Sequence, residues 1–176
     1  FEALPQHRSG EPLFLYVHYI DPHGPYQPPR KTRRSFAKPG EGRRFSDEVR
    51  AGESFVAAAR IDRGEPSGIG DTEIAHWIDL YDDEIAWVDR AIGELVEGFE
   101  RAAPPYGTLV LFAADHGESF LEHGTLAHCR SLYDTEIRTP FVVAGPGVPS
   151  GQVRALPTTN LDLVPTLLDL AGVSFS

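Results

Sequence analysis

Two stretches of this chain carry side chains that could do chemistry together. Asp115-His116-Gly117-Glu118 follows six largely apolar residues, Thr108 to Ala113. A carboxylate beside an imidazole suits a divalent cation, and the glycine after them lets the backbone turn away. Two further histidines, His123 and His128, fall within 12 residues of His116. Far upstream, His23 stands among four prolines in eight residues, Pro22 to Pro29. Such a segment can form neither helix nor ladder, so it presents an imidazole rigidly at small entropic cost. Each stretch has a plainer reading. Asp115 also suits a helix N-cap with an exposed histidine behind it, and His23 also suits a proline-rich surface crossover that carries it incidentally. Local sequence leaves both alternatives open.

The elements that must position these groups follow from periodicity. Thr108 to Ala113 predicts a fully buried strand, because both of its faces are apolar. Phe141 to Ala144, closed by Gly145-Pro146-Gly147, predicts a second, and Leu13 to Tyr19, rich in β-branched and aromatic residues, a third. Open α/β sheets bind ligands beyond the carboxyl ends of their strands, where Asp115 and His116 would fall. Asp71-Thr72-Glu73 opens the longest helix, with an apolar stripe running from Ile74 through Trp77, Tyr81 and Val88 to Phe99. Gly98 and Pro104-Pro105 are its expected stop. Its acidic residues Asp79, Asp82, Asp83, Glu84, Asp89 and Glu94 are expected on the solvated face, and its two tryptophans in packing. Ser131 to Glu136 suggests a short turn or helix. Thr158-Thr159-Asn160 caps a last helix, Leu161 to Leu170, which Gly172 stops. Residues 30–70, basic at first and with weak helical spacing from Phe45 to Ile61, read as a variable insertion or lid. The order predicts an α/β layered sandwich with a mostly parallel central sheet.

Composition narrows the function classes. Lys+Arg total 16 against Asp+Glu 26 in 176 residues, a formal charge of −10. That excess of acid argues against general nucleic-acid binding, which needs Lys and Arg on phosphates. It would also repel an anionic substrate unless a bound cation intervened, so the charge favours a metal-centred anion site. Cys129 is the only cysteine, which excludes an internal disulfide and a cysteine-based zinc knuckle. No run of 18 apolar residues is present, so no membrane span is expected. The opening F-E-A-L-P-Q-H-R has neither initiator methionine nor apolar signal core and reads as the middle of a longer chain.

Several stretches, in order, carry a family resemblance. They are V-H-Y-I-D-P-H-G-P-Y-Q-P-P, Y-D-D-E-I-A-W-V-D-R-A-I-G-E-L, A-D-H-G-E-S-F-L-E-H-G, A-H-C-R-S-L-Y-D-T-E-I-R-T-P-F, G-P-G-V and L-D-L-V-P-T-L-L-D-L-A-G. Together they resemble the sulfatase family of the alkaline phosphatase superfamily, over nearly the whole chain except 30–70. The resemblance implies an alkaline-phosphatase-like fold and hydrolysis of sulfuric esters, on a small molecule or a glycan. It implies one divalent metal held by Asp115 and His116, with His23 on the anionic ester group and His128 toward the substrate or leaving group. Calcium is the expected ion for a sulfatase, while the imidazole of His116 also suits manganese or zinc. Phosphonate monoester hydrolases and phosphoglycerol transferases share the Asp-His signature, so a phosphate or phosphonate ester is the alternative substrate. A non-catalytic binding protein on the same scaffold is the alternative of another class. Many relatives are exported, to periplasm or outside the cell.

The chain departs from the family pattern in two places. Sulfatases attack with a formylglycine made within a C/S-x-P-x-R motif, and none of the cysteine or serine residues here has that context. The Asp-Asp metal pair that follows the family's first strand is missing as well. Residues 1–176 therefore read as the C-terminal portion of a catalytic domain, without the nucleophile's half and without turnover alone.

Overall fold

A computed structural model describes residues 12–29, 36, 53–102 and 107–174. Among them the elements run α1 (Glu53–Asp62), α2 (Asp71–Ala102), β1 (Val110–Ala113), β2 (Ser119–Phe120), β3 (Leu126–Ala127), α3 (Asp134–Ile137), β4 (Phe141–Ala144) and α4 (Leu163–Leu170). A single 3-10 turn, Asn160–Asp162, leads into α4.

Helix α2 is the spine. Its 32 residues make a rod about 48 Å long, and it passes through Gly98 instead of stopping there. Glycine in a helix is only mildly unfavourable, and the Gly98 site is itself buried, so packing holds the turn in place. Pro104 and Pro105 lie outside the described residues. Ile74, Trp77 and Val88 are buried along one stripe, as the helical spacing predicts. The acidic residues divide. Asp83 and Glu84 are 0% and 1% exposed, which corrects the expectation of a wholly solvated acidic face. Both carboxyls accept backbone N–H groups from the segment packed over them, and those bonds offset part of the cost of burial.

The core joins α1, α2 and a small hairpin. Ala57 and Ala58 of α1, Ile74 and Trp77 of α2, Phe120 of β2 and Leu126 of β3 form one cluster, with Tyr26, Ile61, Ile69, Tyr81 and Leu121 packed against it. The two alanines let α1 come close to β3. The β2–β3 hairpin pairs Ser119 with Ala127 and Phe120 with Leu126. Its turn closes through Leu121 N–H to the Thr125 carbonyl at 2.9 Å and through the Glu122 carboxylate, which accepts the Phe120 N–H at 2.6 Å.

The strands differ from the sequence expectation in three ways. β1 and β4 pair antiparallel, Val110 with Ala144 through Ala113 with Phe141, where a parallel arrangement was expected. The segment between them folds back on itself, so no crossover helix is needed to bring the two strands side by side. They are half-buried, not fully buried: Phe112 is 37% and Val142 53% exposed, because no described element layers over their outer face. Leu13 to Tyr19 is not a strand. It runs irregular and largely exposed, since no strand among the described residues pairs with it, and an apolar run without a partner gains no ladder.

The remaining expectations fall as follows. The helical stretch near 45–61 appears as α1, with Phe45 and Val49 outside the described residues, as is most of 30–52. The short helix near Ser131 to Glu136 is α3, and β4 coincides with its predicted run. Thr159 caps the 3-10 turn through a reciprocal pair with Asp162.

Candidate active site

Three histidines come together. The His116 and His128 rings stack with centroids 4.1 Å apart, and His23 stands 5.1 Å from His128 at a tilt of 60°. They arrive on separate elements. His116 follows β1, His128 follows β3, and His23 comes on the proline-rich segment. The two neighbours of His128, Ala127 and Cys129, both hold left-handed backbone, φ 68° and 62°, conformations that side chains adopt only under constraint.

Each imidazole uses its Nδ1 locally. His23 Nδ1–H donates to the Gly24 carbonyl at 2.7 Å, and His116 Nδ1–H to the Gly117 carbonyl at 2.8 Å. A carbonyl only accepts, so the proton sits on Nδ1 in both rings. His128 Nδ1 faces the Glu118 carboxylate at 3.1 Å, whose side chain is 5% exposed. All three Nε2 atoms therefore remain for a ligand.

Glu118 anchors the cluster a second time. It accepts the Tyr26 hydroxyl at 2.9 Å. Burial first, then the Glu118 carboxylate, hold the Tyr26 phenol far above its ordinary range, so it stays a donor. Tyr26 also packs edge-on against Tyr81 of α2 at 5.7 Å and lies 5.7 Å from Phe120. The proline-rich segment is thus tied to both the helix and the hairpin.

Asp115 lies beside the histidines, its side chain 82% exposed. Its Oδ1 accepts the His116 N–H at 3.0 Å, and its carbonyl accepts Asn160 Nδ2 at 2.9 Å. Asp115 Oδ2 and His116 Nε2 are 3.8 Å apart. Two ligands held about 2.0–2.2 Å from one ion sit roughly 3–4 Å apart, so the pair fits two positions of a divalent coordination sphere. Among the described residues no three His, Cys, Asp or Glu converge to hold an ion. His123 stands apart from the cluster, its ring stacked on Tyr133 at 3.8 Å.

Behind the histidines the loop is laced to Glu136, which is 3% exposed. Its carboxylate accepts the Ser119 hydroxyl at 3.2 Å, the Ser131 hydroxyl at 2.6 Å and the Arg130 and Ser131 N–H groups at 3.0 and 3.3 Å. Burial alone would raise its pKa, but these hydrogen bonds prevail and hold it below the usual carboxylate value. Its carbonyl accepts the Gly117 N–H at 2.7 Å. A Cβ at Gly117 would clash with the Thr135 carbonyl oxygen. The glycine is required by this close approach of two backbones, more than by a turn.

Sequence reasoning named Asp115, His116, His23 and His128, and the structure brings His23, His116 and His128 together with Asp115 at the edge. It missed Glu118, Tyr26 and Asn160. Glu118 lies two residues beyond His116 and Tyr26 three beyond His23, so proximity in sequence was an available signal. For Asn160 there was none.

A sulfatase family model matches residues 1–173. The chain belongs to the sulfatase family. The family implies an alkaline-phosphatase-like α/β fold and in general uses a divalent metal. This sulfatase sequence is 40% identical over 90 residues to the choline-sulfatase of Rhizobium meliloti (strain 1021), across 51% of the chain and 17% of that relative. It is 36% identical over 88 residues to arylsulfatase K of Danio rerio, across 50% of the chain and 17% of the relative. A longer match, 27% identical over 167 residues, is to a putative extracellular sulfatase Sulf-1 homolog of Caenorhabditis elegans, across 94% of the chain and 23% of the relative. The chain thus spans less than a quarter of the length of these curated relatives. No helix among its described residues is long and apolar enough to cross a membrane.

Proposed function

We propose that Asp115, His116, His23 and His128 form one side of a site that hydrolyses sulfuric esters, with the nucleophile supplied from outside these 176 residues. One observation supports this above the others: imidazoles from distant parts of the sequence meet within 4.1 and 5.1 Å beside an exposed carboxylate. In this reading Asp115 Oδ2 and His116 Nε2 hold a divalent ion, calcium by family habit, or manganese or zinc given the imidazole. An ion held by these two residues would neutralise ester oxygens and lower a nucleophile's pKa.

The chain's own residues do the rest. His23, with its Nδ1–H fixed on Gly24, donates from Nε2–H to the anionic oxygens of the ester when the ring is charged. His128, with Nδ1 held by Glu118, carries a proton at Nε2 when charged and hands it to the departing alkoxide. Glu118 keeps that ring in one tautomer and orientation, and the Tyr26 hydroxyl keeps Glu118 in place. The substrate is a sulfate ester of a small molecule or glycan, and the isolated chain does not turn it over.

Calorimetric titration with calcium, manganese and zinc tests the metal half of this reading. A single weak site that disappears in Asp115→Ala is the expected result. No heat with any of the three ions, or an isotherm indifferent to Asp115→Ala, would leave a non-catalytic scaffold as the better account.

A further inference from the structure

We propose that Asp83 and Glu84, adjacent buried carboxyls on α2, are positioning residues that grip the backbone within the proline-rich stretch and beyond its end, and so set where His23 stands beside His128. Glu84 Oε1 accepts the Gln27 N–H, and Asp83 Oδ1 accepts the Phe36 N–H at 3.0 Å. Consecutive helical residues project about 100° apart, so the two carboxyls reach two different points of the overlying chain.

Burial makes the arrangement informative. Glu84 belongs to the same stripe as Trp77, Tyr81 and Val88, where an aliphatic side chain would pack without desolvating a carboxyl. Placing an acid there costs several kcal/mol in round terms. What the acid adds is an acceptor for the segment above it. A main-chain N–H set between prolines has few backbone partners nearby, because each proline removes a donor and stiffens the path. Glu84 Oε2 has no hydrogen-bond partner among the described residues, so the side chain is committed to Gln27 through its other oxygen.

The lever is short. His23 lies four residues before Gln27, with Pro25 and Tyr26 between them. Tyr26 is fixed by its hydroxyl on Glu118 and by packing on Tyr81 and Phe120. With the Gln27 N–H also fixed, the imidazole has little freedom left beyond its own side-chain torsions. Release of Gln27 would free the segment on the side away from the hairpin. What His23 is for rests on the sulfate-ester reading. Where it stands does not.

Amide hydrogen exchange and the ring resonances of His23, followed by NMR on the 176-residue chain, test the grip directly. In the wild type the Gln27 amide is expected to be protected. Glu84→Ala should speed its exchange at least about tenfold, with core amides such as Leu126 unchanged, and should move the His23 ring signals toward those of a free histidine. Glu84→Gln keeps the acceptor oxygen and should restore both. Gln27→Pro deletes the donor without touching the helix and should reproduce the His23 shift. An unprotected Gln27 amide in the wild type overturns the proposal, as does a Glu84→Gln variant that behaves like Glu84→Ala. If Glu84→Ala fails to fold, wild-type protection and Gln27→Pro still decide. Absent cation binding together with His23 signals that follow Glu84 would refute the ester site alone and leave the grip standing.

Discussion

Substituting Glu84 by glutamine should change how stability depends on pH, and the size of the effect follows from its surroundings. The side chain is 1% exposed. Burial raises its pKa from 4.5 to about 8, the Gln27 N–H works against that rise, and the Asp21 carboxylate adds to it. Tyr26 and Tyr81, whose phenols feel the Glu84 charge, stay protonated across this range, held up first by burial. The sign follows directly. A folded-state pKa above the unfolded one means the folded chain holds the proton more tightly, so this group's contribution is complete below pH 4.5 and is lost as pH rises through 8. At 1.36 kcal/mol per pH unit, the span from 4.5 to 8 corresponds to a loss on the order of 5 kcal/mol. Against a total stability of about 5–15 kcal/mol that is large. Glutamine offers Gln27 the same acceptor but does not ionise. Urea unfolding at steps from pH 4.5 to 9 should therefore show Glu84→Gln gaining on the wild type steadily and levelling above pH 8. A difference between the two proteins that stays constant with pH would mean that Glu84 ionises as it does in water, and the reasoning about its burial would fail.

Three further outcomes can be checked by denaturation. Glu136→Gln should destabilise by about 2–3 kcal/mol, since four donors lose a charged acceptor. Because the folded Glu136 pKa is lowered, the wild type should lose this contribution as pH falls below about 4.5 through the folded value, and the variant should not. Gly117→Ala should lower stability by roughly 3 kcal/mol or more, as the Thr135 carbonyl must move, with a visible fall in melting temperature. Cys129→Gly, at an exposed left-handed position, should raise stability by about 0.5–1 kcal/mol.

What could be read in advance was what period and short-range chemistry encode. The α2 stripe and the β4 run were clear because Ile74, Trp77, Tyr81 and Val88 repeat at helical spacing and Phe141 to Ala144 is an uninterrupted apolar run between breakers. The buried acids were misplaced because residue type was given more weight than position. Glu84 is seven residues past Trp77, three past Tyr81 and four before Val88, so the helical period alone places it inside. The β2–β3 hairpin escaped because two-residue strands carry no alternation. Its turn rests on Leu121 at φ 74° and on the Glu122 carboxylate, neither of which is a turn signature, and only Gly124, also at φ 74°, is one. Leu13 to Tyr19 has the composition of a strand, but composition measures readiness to pair, and pairing needs a neighbour that composition cannot name. His23 could be suspected from its prolines, whereas its distance to His128 depended on α2 and the hairpin gripping the same segment.

The tight crossing at Gly117 divides the histidine loop into a neck and a tip with opposite freedoms. At the neck, where Gly117 abuts Thr135, no residue larger than glycine is accommodated and insertion would prise the two backbones apart. At the tip, a Cβ at Gly124 would meet nothing within 4 Å, its φ of 74° alone favouring glycine, and the neighbouring His123 is exposed. Grafts, lengthened turns and altered charges belong there, so new selectivity could be engineered at the tip while the imidazole stack below is left untouched.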